Sequence, residues 1–209
     1  VLAGVGVGAA TGLAMLAFAG AYLDQLVTYF AEFLASMEQQ LSKGGQAVEL
    51  PRPLAPQIAG MLGAGTAMMS VLCLLLARYW QAVLYNPGGF GAEFKALYYP
   101  ATVSSVLVVA GVVLFGLGIQ YRTWAMICLI PLTFAGLALV HTRVGLRGRG
   151  KGWLTWFYIA WLIFDPVKLL VVFFAIADSW LKFRQRWSTG PGTQVSQRDE
   201  RDDRDDRDI

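Results

Sequence analysis

The chain is poor in the residues that most chemistry needs. It has one histidine and two cysteines, and only 15% of its 209 residues are charged, against about 25% in a soluble domain. Cys73 and Cys128 both lie inside apolar runs, without the C-x-x-C spacing of a metal or redox site. They read as small buried apolar residues. The single histidine, His141, has no base or nucleophile beside it in sequence and reads as an interfacial residue. There is no nucleophile elbow, P-loop or metal-ligand cluster. Basic residues do not alternate with aromatics on any long polar face, which argues against nucleic acid as a partner. No catalytic residue, metal or cofactor is expected, and the chain is not read as an enzyme.

What the chain has in abundance is apolar length. Apolar residues make up 56% of it and the mean hydropathy is +0.51. Several runs approach the roughly 20 residues that cross a bilayer as helix. The expected fold is all-α: a polytopic transmembrane bundle over residues 1–187, with five to six spans, followed by a disordered charged tail over 188–209. Spans are expected at about 1–23, 54–77, 97–119, 124–140 and 153–181. Gly4, Gly8 and Gly12 recur every four residues, so they share one face of the first span and invite close packing of another helix. Residues 24–42 carry apolar positions at helical spacing among Asp24, Glu32 and Glu38, and so predict an amphipathic helix on or outside the membrane. Pro131 should kink the fourth span. The chain does not begin with Met and its first residue already lies in an apolar run, so further spans are expected to precede it.

Charge is unevenly placed. Residues 198–209, within "QRDERDDRDDRDI", hold seven of the fourteen acids, and the body carries thirteen bases against seven acids. The tail has no apolar face and reads as solvated and disordered. The last apolar region, 153–181, is either one kinked span or a hairpin of two short legs. One straight helix of its 29 residues would reach about 43 Å, against a hydrocarbon core of about 30 Å. With one span, the flanking Lys and Arg divide six to six between the two sides; with a hairpin they divide nine to three. The positive-inside rule favours the hairpin and places the C-terminal tail in the cytoplasm.

Few ionisable residues lie within the apolar regions. Asp165 and Lys168, three apart, share a helix face and can pair. Asp178 and Lys182, four apart in the favourable acid-first order, can pair, for a few tenths of a kcal/mol if exposed, at a helix end anchored at the cytoplasmic interface. Arg78 and Trp80 form a boundary anchor. Then comes "LYNPGGFGAEFKALYYP" (84–100), where Asn86-Pro87-Gly88-Gly89 demands a turn and Glu93 and Lys95 ride on a short helix feeding the next span. Arg78, Trp80, Asn86, Glu93, Lys95, Asp165, Lys168, Asp178 and Arg184 are the candidate contacts for a ligand or partner.

Two segments, "RYWQAVLYNPGGFGAEFKALYYP" (78–100) and "GKGWLTWFYIAWLIF…IADSWLKFRQR" (150–186), resemble the proteobacterial branch of the YybS-like family, bacterial integral membrane proteins of unknown function. The resemblance covers nearly all of the chain after the first glycine-rich span. Asp178, Phe183 and Arg184 match the family's pattern of a final acid followed by Phe-Arg, whereas Lys168 is atypical of it. The resemblance implies an N-terminally truncated chain and a multi-pass protein of the bacterial inner membrane. In general plan the family is similar to membrane substrate-binding components of vitamin transporters, and more distantly to envelope-shape membrane proteins. Besides the lipid bilayer, the partners read from this are a small solute, for a transport or substrate-binding component, or another membrane protein, for a non-catalytic scaffold or assembly partner in the cell envelope.

Overall fold

The computed structural model describes residues 1–42, 49–146 and 151–188. It is all-α, with no strand among the described residues. The tail expected over 188–209 lies outside them from residue 189 onward, as do parts of the two polar loops. The helices are α1 (Leu2–Phe18), α2 (Gly20–Leu41), α3 (Ala55–Tyr85), α4 (Gly89–Lys95), α5 (Ala101–Gly116), α6 (Arg122–Leu146), α7 (Lys151–Ile163), α8 (Asp165–Leu181) and α9 (Phe183–Ser188). Two stretches, Ala55–Tyr85 and Ile119–Leu146, are long and apolar enough to cross a membrane. Two further pairs qualify only when taken together, α1 with α2 and α7 with α8, and these are bent by 97° and 112°. The shorter α5 is apolar apart from Thr102, Ser104 and Ser105. Large apolar side chains such as Phe18, Leu84, Trp156 and Leu162 are exposed, as expected of helices surrounded by lipid rather than water.

The core is built by α1, α3 and α6, and small residues set its spacing. Gly4, Gly8 and Gly12 face α3, opposite Val71, Ala67 and Ala59 in turn. The two helices therefore run antiparallel, with backbone nearly touching backbone at Gly8 and Gly63. A Cβ on Gly8 would overlap Ala67 and the Gly63 carbonyl. Lipid supplies no hydrophobic drive between helices, so this shape fit is itself what holds α1 in place. Trp124 of α6 closes the same layer, touching Gly12 and Gly60, and its indole N–H donates to the Pro56 carbonyl at 2.8 Å. Thr123 Oγ1 donates to Gln57 O at 3.1 Å, and Gln57 Nε2 donates to Ile119 O at 3.1 Å. These bonds tie the start of α3 to the start of α6. At that same end, Arg52 joins Glu38 at 2.8 Å and the Ala31 carbonyl at 2.7 Å, holding α2 against the chain that enters α3.

Several element boundaries differ from the sequence reading. The first span, expected over 1–23, stops at Phe18. Ala19 leaves helical geometry (φ −118°, ψ 33°), and the amphipathic helix begins at Gly20 rather than residue 24. Its one buried residue, Leu23, sits in the core layer. The second helix runs eight residues beyond residue 77, so at about 1.5 Å per residue α3 measures roughly 46 Å and overreaches a bilayer core. The third is shorter than 97–119, because Pro100 caps it at one end and Gly118 (φ +122°) ends the chain's helical path at the other. The fourth continues through Pro131 from Arg122 to Leu146 rather than ending at 140. Residues 153–181 form two helices that meet at Phe164–Asp165, where Pro166 occupies the first turn of α8. The start of α7 (Trp153) and both ends of α9 (Phe183, Trp187) lie beside Leu139–Arg143 of α6, so the bent pair leaves and returns at one end of that helix. Cys73 is exposed on the outside of α3 instead of buried, and Cys128 is half-buried.

Candidate functional site

Most of the candidate residues collect at the end of the bundle where α3 finishes and α6 finishes. The link from α3 to α4 is a tight turn. Gly89 N–H donates to Asn86 O at 2.9 Å across Pro87 and Gly88, and Gly88 has φ +87° and ψ −14°. That is a type II turn, which wants proline second and glycine third. The Asn86 side chain folds over Gly89. Arg78 then receives Glu93 with two oxygens, at 2.7 and 2.6 Å, clasping α4 back onto α3. That hydrogen-bonded guanidinium holds the Glu93 carboxyl below its ordinary range. Trp80, one turn from Tyr85's end of the helix, is 60% exposed and points outward.

Beneath α4 lies the most buried charge in the described chain. Asp178 of α8 is 2% exposed. Its partner is Arg184 and not Lys182, which corrects the expectation of an i, i+4 pair. Lys182 adopts a left-handed conformation (φ 50°), ends α8, and turns the chain so that Arg184 comes back over Asp178. Arg184 Nε lies 3.0 Å from Asp178 Oδ2, close enough for an ion pair although its N–H is not aimed along that line. The backbone N–H of Arg184 donates to Asp178 Oδ1 at 3.3 Å. The two terminal nitrogens of the guanidinium reach the Lys95 carbonyl at 2.5 Å and the Ala135 carbonyl at 3.2 Å. One side chain thus fastens α4, α6 and α8 together. Burial pulls the guanidinium down from its ordinary value, and Asp178 opposes that shift.

A second polar contact lies beside it. Ser104 Oγ of α5 and Ser179 Oγ of α8 are 2.7 Å apart and buried. Ser179 donates its one proton to Ala175 O at 3.1 Å, so Ser104 is the donor between the two. Tyr98 OH donates to Ser179 O at 3.2 Å. None of these residues was singled out from sequence. A serine in an apolar run is commonplace, and its partner lies 75 residues away. On the other side of α4, His141 stacks edge-on to Phe94 (5.3 Å between centroids), donates from Nδ1 to Leu137 O (2.8 Å), and approaches Tyr158 OH at 3.4 Å. His141 is therefore a packed link between α4, α6 and α7.

The remaining candidates stand apart. Lys168 and Asp165 pair at 2.7 Å at the α7–α8 bend, where the Asp165 side chain is 86% exposed. Nothing in the structure brings them to Arg184. The Lys95 side chain is exposed and reaches toward Gly145 near the end of α6; it is the Lys95 backbone carbonyl that joins the hub formed by Arg184 and Asp178.

Among the clefts of the described residues, two are almost wholly apolar. One, of about 270 Å³, lies between α5, α6 and α8 and is lined by Leu107, Gly111, Val112, Phe115, Leu129 and Ile176 among others. The other, of about 400 Å³, lies between α6, α7, α8 and α9. Neither presents a constellation able to activate a nucleophile, and no group of three potential metal ligands exists among the described residues. No protein-family model, curated protein or solved structure matches the chain.

Proposed function

We propose that this is a multi-pass membrane protein of the bacterial inner membrane that works by contact, as a non-catalytic assembly partner for another membrane protein. The observation that carries the reading is a contrast in packing. The interior of α1, α3 and α6 is filled, with Ala59, Ala67, Val71 and Leu132 wholly buried and glycines closing the gaps. The cleft of α5, α6 and α8, in contrast, opens sideways and is apolar. A small-residue position, Gly111, lies in that cleft with only Cys128 and Ala125 near it, which leaves room for an incoming helix. A transport or substrate-binding component remains the competing reading; it rests on the general plan implied by the resemblance to YybS-like proteins. Charge supports one orientation. Arg78, Lys95, Arg143 and Arg184 gather at the end where α3 and α6 finish, and Arg52 and Arg122 at the other, a distribution that favours the first end as the cytoplasmic one.

The test is a photo-crosslinking residue placed at Val112, which is exposed, in intact cells. The expected result is one discrete membrane-protein adduct, absent when the crosslinker sits at Met69 on the far face of α3. Failure to crosslink at Val112, together with thermal stabilisation of the purified protein by a water-soluble metabolite, would overturn the reading in favour of substrate binding.

A further inference from the structure

The second cleft carries an inference that goes beyond assembly. Arg143 stands in the last turn of α6, half-buried, with its guanidinium carbon 4.4 Å above the ring of Trp187. Among the described residues it has no carboxylate within ion-pair distance, and its N–H groups make no hydrogen bond. Stacking uses the face of a guanidinium and leaves its edge, with a fork of donors, available. That edge borders the cleft of about 400 Å³, within the size range of small-molecule sites, whose walls are Leu139, Val140, Trp153, Phe174 and Phe183. Arg143 comes three residues before the end of a helix long enough to cross a membrane, about 4.5 Å from its terminus. Trp153 and Trp187 flank it, as aromatics do at the headgroup level.

An unpaired cation over an apolar slot at that depth matches a molecule with an anionic head and a hydrocarbon body. We propose that this cleft is a binding site for an anionic phospholipid, with one acyl chain against Val140 and Phe174 and the phosphate oxygens on the free edge of Arg143. A charge-assisted, bidentate Arg–phosphate contact is among the stronger hydrogen-bonded pairs, and it is what separates such a lipid from bulk solvent for the apolar slot.

Native mass spectrometry of the full chain, released from detergent with phosphatidylglycerol or phosphatidylcholine, reads the preference directly. The parent protein should retain phosphatidylglycerol about tenfold more tightly than phosphatidylcholine, whose phosphate is offset by its own choline cation. Arg143→Gln should bring that ratio close to one, and Arg143→Lys, which keeps the charge without the fork, should fall between. Raising ionic strength should shrink the parent's preference without any substitution, which keeps the test valid if Arg143→Gln folds poorly. Equal retention of the two lipids by the parent overturns the proposal. So does a preference unchanged in Arg143→Gln, or one abolished equally well by glycerol phosphate, which would make the ligand a free anion. The acidic segment Asp199–Asp208 could compete for the same cation. If a chain ending at Ser188 shows the preference and the full chain does not, the occupant is that segment and the proposal falls.

Discussion

Replacing Arg184 by methionine should cost this protein more than any other single loss of charge. The guanidinium is mostly buried, at 16% side-chain exposure, and its partner carboxylate is at 3%. Methionine keeps most of the volume but leaves Asp178 as a buried acid with no cation, a loss of about 3–5 kcal/mol in comparable sites. The two carbonyls released add less. Lys95 O keeps the Thr142 hydroxyl at 3.2 Å, sharing its one proton with Ala138 O at 2.9 Å, and the Ala135 carbonyl belongs to the ladder of α6. Asp178→Asn should cost less, about 1–3 kcal/mol, because the amide oxygen can still accept from the Arg184 backbone and the guanidinium keeps both carbonyls. The combination Asp178→Leu with Arg184→Met removes both charges and should recover at least half of what Arg184→Met loses, since an apolar pair needs no solvation. Reversible unfolding in mixed micelles, followed by helical circular dichroism, gives the three free energies and their coupling. If Arg184→Met lies within about 1 kcal/mol of the parent, or the double variant is no better than Arg184→Met, the hub does not hold the helices as described.

The glycine face makes a paired prediction: Gly8→Ala should destabilise by about 1–3 kcal/mol or more, because its Cβ meets backbone on both sides, while Gly6→Ala, with open space around it, should be neutral in a melt in detergent. Lys182→Gly should stabilise by up to about 1 kcal/mol, since the left-handed turn at φ 50° suits glycine, and Lys182→Val should do the reverse in the same melt. Glu93 supplies a pH dependence. Its carboxyl is held below the ordinary value by Arg78, so the clasp on α4 is complete above that value and weakens as pH falls through the lowered one. Amide exchange over residues 86–98, corrected for the intrinsic rate, should therefore rise relative to the core at pH 3, and no rise would count against the clasp.

How much of this was legible in the sequence depends on how local each cause is. The turn at Asn86–Gly89 could be read because Pro87 and Gly88 dictate it within four residues. The break before α8 could be read because Pro166 needs a first-turn position and Asp165 is costly inside a long apolar helix. The bend at Ala19 could not be read: "LAFAGAYL" has no proline, and beyond the bend Leu23 is buried in the core layer beside residues of α3 and α6. The Asp178 partner was missed for a related reason. Helical spacing nominates Lys182, but Lys182 is where the helix ends, and once it turns left-handed the residue two further on is the one delivered to the carboxylate. The roles of Ser104, His141 and Arg143 depend on contacts with residues 17 to 75 positions away, beyond the reach of any periodicity.

The α1–α3 face and the joint of α4, α6 and α8 are held by different physics, and substitutions should betray the difference. Where α1 meets α3 nothing polar is shared at the glycines, so stability there tracks side-chain volume and is indifferent to salt or pH. Where α4, α6 and α8 meet, the joints are side chains on backbone carbonyls and one buried ion pair, directional and exchangeable for other donors. A partner or lipid that brings its own donors or acceptors can substitute for joints of the second kind but not of the first. Any change of arrangement on binding is therefore expected at the Arg184 end, with α4 moving relative to α6 while α1 and α3 stay locked, and spin labels on α4 and α6 compared with a pair on α1 and α3 would separate the two.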